Sequence, residues 1–474
     1  MKTIWFATGL AITSLAILPA ARADDDAAWR KARPAVPPPV TPVLPAFEQA
    51  TLPNGLTILV THLDALPVVT FNLVSKGGAT YDPKGKAGLT SLTYDLLEEG
   101  AGELDALAFS DAVADLGADF GAAADRDSAG VHMGGLSRNA DAMMKLLADA
   151  VIRPRLEAPD FERTKAQTIA TLLRRRGSPQ GLAFEKIPAL IYGATHPYGH
   201  APTGTPDTVD ALTLDDVKAQ YAKIMGPKHS ALVVAGDLSL ADAQALAEKH
   251  FGAWAPEAAP PPTVPEVKAA LRKTVTLVDK PGAAQTMMVV GRPLFARGHK
   301  DEYALTLANE VFGGTFSARL NMDLREAKGY TYGASSQAAF RTGAGVFIAY
   351  SALRADVTAP GLKETMAQLA DMKKKPPTEQ ELAMARSGLI RSLPGQFETT
   401  GAVAGGAASL FIYGLPLDHF ATLGARYEAV SLDAVRKAAA TYLAPATMQI
   451  LLVGDRASTE KPVKALKLGR LVLE

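Results

Sequence analysis

Two side chains that donate hydrogen bonds stand seven residues apart in Leu324-Arg325-Glu326-Ala327-Lys328-Gly329-Tyr330-Thr331-Tyr332-Gly333. The charged Leu-Arg-Glu stretch reads as the end of a helix. Gly329 suits a left-handed cap position, Lys328 is a cation at the carboxyl end, and a strand begins near Tyr330. The guanidinium of Arg325 and the phenol of Tyr332 therefore flank a helix-to-strand corner. A guanidinium is a fixed fork of donors, and a neutral phenol donates to negative charge, so the pair suits oxygen acceptors in a common cavity. Residue type alone equally allows a surface ion pair for Arg325 and strand packing for Tyr332.

Other chemistry is scarce. The chain has no Cys, which removes disulfides, thiol nucleophiles and thiolate metal sites. His196 and His200 are four apart, but Pro197 and Gly199 intervene, so they do not share a helix face. His132, His229, His250 and His299 are isolated. Leu89 to Glu99 reads as a helix closed by Gly100. Leu89, Leu92 and Leu96 line one face, and Ser91 and Asp95, four apart, line another with Tyr94 close by. Asp95 alone is one oxygen ligand. The glycines of Phe312-Gly313-Gly314-Thr315-Phe316-Ser317-Ala318-Arg319-Leu320 follow a helix and lack the Lys of a phosphate loop. They are expected to permit a tight approach to an opposing lobe or a peptide.

The elements that must position these groups come in two sets. Leu52-Pro53-Asn54-Gly55-Leu56 is a turn before a strand running through Val60, and Val69, Phe71 and Leu73 alternate with polar residues in a half-buried strand. Helices are expected around Met143 to Val151, over Asp160 to Arg176, and after a capping box at Thr213. Ala231 to Ala235 reads as a buried strand. Pro256 to Pro265 is a stiff proline-bearing linker. Beyond it the pattern returns: Leu214-Asp215-x-Val217, Gly236 and Asp237 recur as Leu432-Asp433-x-Val435, Gly454 and Asp455, at a constant separation of 218 residues. Ile191-Tyr192-Gly193 recurs as Ile412-Tyr413-Gly414, 221 residues on. Two copies of one strand-and-helix unit predict two facing lobes.

Lys2, the apolar run Ile4 to Leu18 and Ala21-Arg22-Ala23 read as a cleaved secretory signal over residues 1–23. A mitochondrial transit peptide should be poor in acids, whereas Asp24-Asp25-Asp26 follows at once. Export to a periplasm is the expectation. Residues 24–45 form an acidic and then Pro-rich strap. Cleavage would delete two of 49 cations and none of 49 acids, leaving a net charge of −2. A balance near neutrality without basic runs argues against nucleic acid and anionic membranes as partners.

The layout resembles the M16 peptidase family, the pitrilysin or inverted-zincin family, and is M16B-like. The carriers are Leu52-Pro53-Asn54-Gly55-Leu56, Gly85-x-x-Gly88-Leu89, His196-Pro197-Tyr198-Gly199, Val234-Ala235-Gly236-Asp237 and the Leu324 to Gly333 stretch. The resemblance spans the chain from Phe47 on. It implies an α+β fold of two homologous lobes, residues 46–255 and 266–474. Each lobe is a mixed, mostly antiparallel β-sheet with helices packed on one face, and the linker at 256–265 joins them into a clamshell. Active members hold zinc through His-x-x-Glu-His and a later Glu. Set on that pattern, Ser91, Tyr94 and Asp95 stand at the first His, the catalytic Glu and the second His, and Ala170 and Thr171 lie where the later ligand belongs. All four positions have lost their chemistry.

The same resemblance gives Arg325 and Tyr332 roles. This pair in the family holds substrate backbone carbonyls, and the phenol stabilises the oxyanion. It likewise makes His196-Pro197-Tyr198-Gly199 a structural loop. A chain with the pair intact and the zinc site erased resembles the non-zinc-binding subunit of a heterodimeric zinc metallopeptidase. Its partner would be a homologous M16 subunit carrying His-x-x-Glu-His and the zinc, this chain holding no metal itself, and peptides would be the substrates. The alternative is a non-enzymatic M16-like scaffold or peptide-binding protein, and a third reading is a peptidase active alone through an unrecognised site.

Overall fold

The computed structural model describes residues 45–272 and 274–474. The expected signal and the strap up to residue 44 lie outside the described residues. The described residues form one compact unit. Among the described residues no helix is long and apolar enough to cross a membrane.

In the first lobe β1 (Glu48–Thr51) turns into β2 (Thr57–His62). Gly55 supplies the turn's positive φ of 92°. Asn54 fixes it by donating to the carbonyls of Phe251 and Trp254 at 2.8 and 2.9 Å. With β3 (Val68–Lys76), β4 (Asp119–Ala124), β5 (Ser128–Leu136) and β6 (Ser230–Gly236) they form a six-stranded sheet ordered β1-β2-β6-β3-β5-β4. Only the β2–β6 pair is parallel. Val69, Phe71 and Leu73 are buried, as their alternation predicts.

The second lobe repeats this plan. β7 (Thr274–Asp279), β8 (Gln285–Pro293), β9 (Thr331–Ala339), β10 (Val346–Arg354), β11 (Gln449–Gly454) and β12 (Arg470–Leu473) are ordered β9-β10-β8-β11-β7-β12. The run β4-β5-β3-β6-β2 matches β9-β10-β8-β11-β7 in order and in every pair direction. The outermost strands differ: β1 runs antiparallel to β2, whereas β12 runs parallel to β7. The two edge strands β4 and β9 are thus equivalent.

The helices that matter for the site are α1 (Leu89–Asp95), α2 (Ala140–Ile152), α3 (Ala158–Arg176), α4 (Pro179–Tyr192), α5 (Leu214–Ile224), α6 (Glu302–Asn309), α7 (Thr400–Tyr413) and α8 (Leu432–Tyr442). The capping box expected at Thr213 forms with Asp216, and α8 stands at the repeat position of α5. One face of each sheet is covered by helices of its own half. On the first sheet Val60, Phe71, Leu73 and Val234 pack there with Met143 and Leu147 of α2.

The other face of each sheet is covered by a helix from the other half. α4 lies on β8 and β11, with Ala183, Ile187 and Ile191 against Met287, Val289, Leu451 and Val453. α7 lies on β3 and β6, with Val403, Ala404 and Ala407 against Val74, Ala231 and Val233. β6 is buried along its whole length as a result. α4 and α7 end in the repeated Ile-Tyr-Gly, so the duplicated unit exchanges the same helix in both directions. Residues 256–265 form neither helix nor strand, but they are tied down: Tyr81 Oη donates to the Ala259 carbonyl at 2.7 Å.

Candidate functional site

Two places hold the residues singled out by the sequence. The first is beside edge strand β4. Asp82 organises the start of α1, its carboxylate accepting from Gly88 N–H, Thr90 N–H and Thr90 Oγ1 at 2.6–2.8 Å. Gly88 has φ 96°, and a Cβ there would stand 2.8 Å from the Thr203 carbonyl oxygen. α1 then presents Ser91 and Asp95 to a cavity of about 440 Å³ shared with Glu98, Glu99 and Thr171. Thr171 lines this cavity and Ala170 does not.

Tyr94 departs from the expected grouping with Ser91 and Asp95. Successive helix positions are about 100° apart, and the Tyr94 ring turns into the first lobe's core, 2% exposed, its hydroxyl 3.8 Å from Met225 Sδ.

The donors in the cavity do not suit zinc. Burial, and secondarily Glu98, raises the Asp95 carboxyl to about 7, so a proton competes for its oxygens. Glu98 Oε1 accepts from the Ala122 N–H of β4 at 2.7 Å, an amide on the strand's unpaired side. Glu99 accepts from Thr164 Oγ1 at 2.8 Å and pairs with Arg163. Ser91 offers a neutral hydroxyl. Among the described residues no three His, Cys, Asp or Glu side chains converge as a metal site.

The second place is the corner in the other lobe. After α6 the chain winds into two π-helical turns, Glu310–Gly314 and Met322–Ala327, a conformation frequent at functional sites. Gly313 permits the first: a Cβ there would lie 2.6 Å from Ser336 Oγ. The tight approach expected of Gly313-Gly314 is thus made to β9 of its own lobe, because the π turn folds back on that strand. Gly329 stops the second turn with φ 63°, Gly329 N–H reaching the Arg325 carbonyl and Tyr330 N–H the Leu324 carbonyl.

β9 begins at Thr331 and bulges at once. Its pairing with β10 shifts register between Thr331 and Ala334, so Tyr332 and Gly333 occupy a β-bulge. Bulges re-aim side chains and are frequent beside active sites. Thr331 Oγ1 and Ser351 Oγ both donate to the Gly333 carbonyl, at 2.9 and 3.0 Å. Asn321 ties the bulge to the preceding loop, accepting from Ala334 N–H at 3.1 Å and donating to the Phe316 carbonyl at 2.7 Å. Tyr332 is 90% exposed, and its hydroxyl has no hydrogen bond among the described residues. Arg325 stacks its guanidinium 4.6 Å from the Phe316 ring centre and lies 3.4 Å from Glu326.

Strand packing is thereby excluded for Tyr332, while Arg325 does have an ion-pair neighbour. The pair shares one corner, as the spacing predicts, but neither residue lines the Ser91–Asp95 cavity. Phe316 and Asn321 were not singled out by sequence reasoning. Gly333 within a strand pattern, a common mark of a bulge, is the signal that points toward them.

Profiles of two domains match the chain. The insulinase (peptidase family M16) profile matches residues 58–198 and the peptidase M16 inactive domain profile matches residues 211–389. The zinc protease PqqE of Helicobacter pylori is 26% identical over 371 residues, covering 76% of this chain and 82% of that protein. The non-peptidase homolog YmxG of the same species is 23% identical over 378 residues, covering 78% and 85%. The crystal structure of a peptidase M16 inactive domain from Pseudomonas fluorescens matches with a TM-score of 0.80 and 27% identity over 86% of this chain and 98% of that one.

Proposed function

The chain belongs to the M16 peptidase family, in its inactive type, and from that premise we propose that it is the non-zinc-binding subunit of a two-chain zinc metallopeptidase. The observation that carries this reading is an asymmetry. At the zinc position Ser91, Tyr94 and Asp95 offer no ligand set, whereas Arg325 and Tyr332 stand on a hydrogen-bonded corner with the phenol exposed to solvent. A homologous M16 subunit with His-x-x-Glu-His would supply the zinc and its activated water. Arg325, with its donor fork held against Phe316, would bind a peptide carbonyl, and Tyr332 would donate to the oxyanion as the carbonyl is attacked. We further propose that the pair works in the periplasm, after removal of residues 1–23.

The test is a peptidase assay with labelled casein on this chain alone, on a zinc-bearing M16 homologue from the same cell, and on their mixture. Activity is expected only in the mixture, and metal analysis of this chain alone should find no stoichiometric zinc. One tightly held zinc per chain overturns the reading. A second reading, a peptide-binding protein without catalysis, is favoured by one observation: Arg325 already has Glu326 and Phe316 as partners. It predicts that the mixture binds peptides and cleaves none.

A further inference from the structure

The His196-Pro197-Tyr198-Gly199 loop has no part in the mechanism above, yet it lies where the two lobes meet. Tyr198 is fully buried. Its hydroxyl donates to Asp127 Oδ1, lies 3.1 Å from Thr342 Oγ1 and accepts from Gly343 N–H at 3.1 Å. Asp127, itself buried, accepts from Thr342 Oγ1 at 2.7 Å and from Thr342 N–H at 3.1 Å. Tyr192 Oη lies 3.2 and 3.1 Å from the carbonyl oxygens of Ala344 and Gly345. His196 accepts the Tyr198 N–H on Nδ1, leaving its Nε2–H to donate to the linker carbonyl of Pro265 at 3.0 Å. Gly343 is packed so closely that a Cβ there would stand 2.4 Å from Val264.

The topology gives this cluster a meaning. Asp127 sits in the turn between β4 and β5, and Thr342 to Gly345 sit in the turn between β9 and β10. These are equivalent turns of the duplicated unit, and they meet head on. Edge strand β4 borders the Ser91–Asp95 cavity, and equivalent edge strand β9 carries Tyr332. We propose that Asp127, Tyr198 and Thr342 form a socket that docks one hairpin turn onto the other and so positions the strand bearing Tyr332 relative to β4. Tyr332 lies seven residues from the docked end, roughly 23 Å along the strand at about 3.3 Å per residue, so a tilt at the socket is carried along the hairpin to the phenol. The three are positioning residues, and for its bearing on Tyr332 the inference rests on the two-chain reading.

Hydrogen exchange on the full chain, read by mass spectrometry, tests the docking without reference to activity. Tyr198→Phe, and separately Thr342→Val, at an exposed residue in an otherwise mostly buried turn, should speed amide exchange at residues 125–128 and 340–345 tenfold or more while β11 keeps its wild-type rates. Unchanged exchange at the two turns, or equal acceleration in β11, overturns the proposal. If Tyr198→Phe does not fold, Thr342→Val alone decides. With labelled casein and the zinc-bearing homologue, Thr342→Val should lower kcat at least fivefold and Thr342→Ser should restore it. Loosened turns with unaltered kcat overturn the positioning role. A wild-type mixture without activity overturns the two-chain reading and, with it, the bearing on Tyr332, while exchange still decides the docking.

Discussion

A phenol that is 90% exposed on a bulge gains nothing from packing, so its contribution is to be sought in what it donates to. Tyr332→Phe should leave the melting temperature of the chain unchanged, surface changes of this kind being worth within about 0.5 kcal/mol. The same variant should lower turnover of the mixed subunits about a hundredfold, the usual loss for one oxyanion donor; unchanged turnover would make the hydroxyl dispensable. Asp95 makes an independent prediction. Its folded carboxyl titrates at about 7, whereas an unfolded aspartate titrates near 3.9. Between these values the folded state holds the extra proton, so stability falls as pH rises from about 4 to 7. Asp95→Asn should match the wild type near pH 4 and exceed it by at most about 4 kcal/mol at pH 8, at about 1.4 kcal/mol for each pH unit between the two values, measured by urea unfolding. A variant less stable than wild type at pH 8 would contradict the raised carboxyl of Asp95. The erased zinc motif and the Arg325–Tyr332 spacing were legible because each is a matter of residue type at fixed separation. The inward turn of Tyr94 was not, since neighbouring helix positions share no pattern that says which of two cores will take the ring.

Among the elements, the repeat was visible as a constant offset, and the topology follows it over five of the six strands of each sheet, the outermost strands β1 and β12 differing. The exchange of α4 and α7 was hidden. Periodicity reports that a helix buries a face, not which sheet receives it, and the linker encourages a division at residue 255. α7 carries a clue in its composition: a run such as Thr400-Gly401-Ala402-Val403-Ala404-Gly405-Gly406-Ala407-Ala408 is apolar nearly all round, the mark of a helix buried on several sides. Its alanines set the spacing to β3 and β6, so Ala407→Leu should overpack this contact and cost about 1–3 kcal/mol. Ile187→Ala on α4 should instead leave a cavity against Val289 and Leu451 and cost about 2–5 kcal/mol. Chemical denaturation of both variants checks the pair; a loss near zero for either would mean that its helix does not bear on the opposite sheet.

For the whole molecule, two lobes on a proline linker suggest two folding units, and the reciprocal helices argue otherwise. Neither sheet has both faces covered until the other half supplies its helix, so calorimetry should record one unfolding transition rather than two. Residues 46–255 alone should not yield a folded monomer, because β3 and β6 would expose the surface that Val403, Ala404 and Ala407 cover. Two well-separated transitions, or a folded isolated half, would refute that coupling.

The exchanged helices also bear on how the chain is made. Synthesis runs from the amino end, so the face of β6 at residues 230–236 emerges long before α7 at residues 400–413 exists to cover it. Loop closure over such a separation is slow, and in the interval an apolar sheet face stands open to other chains. A nascent chain of this design depends on being shielded while it waits, and slowing translation or transit between residues 236 and 400 should favour its aggregation over its assembly.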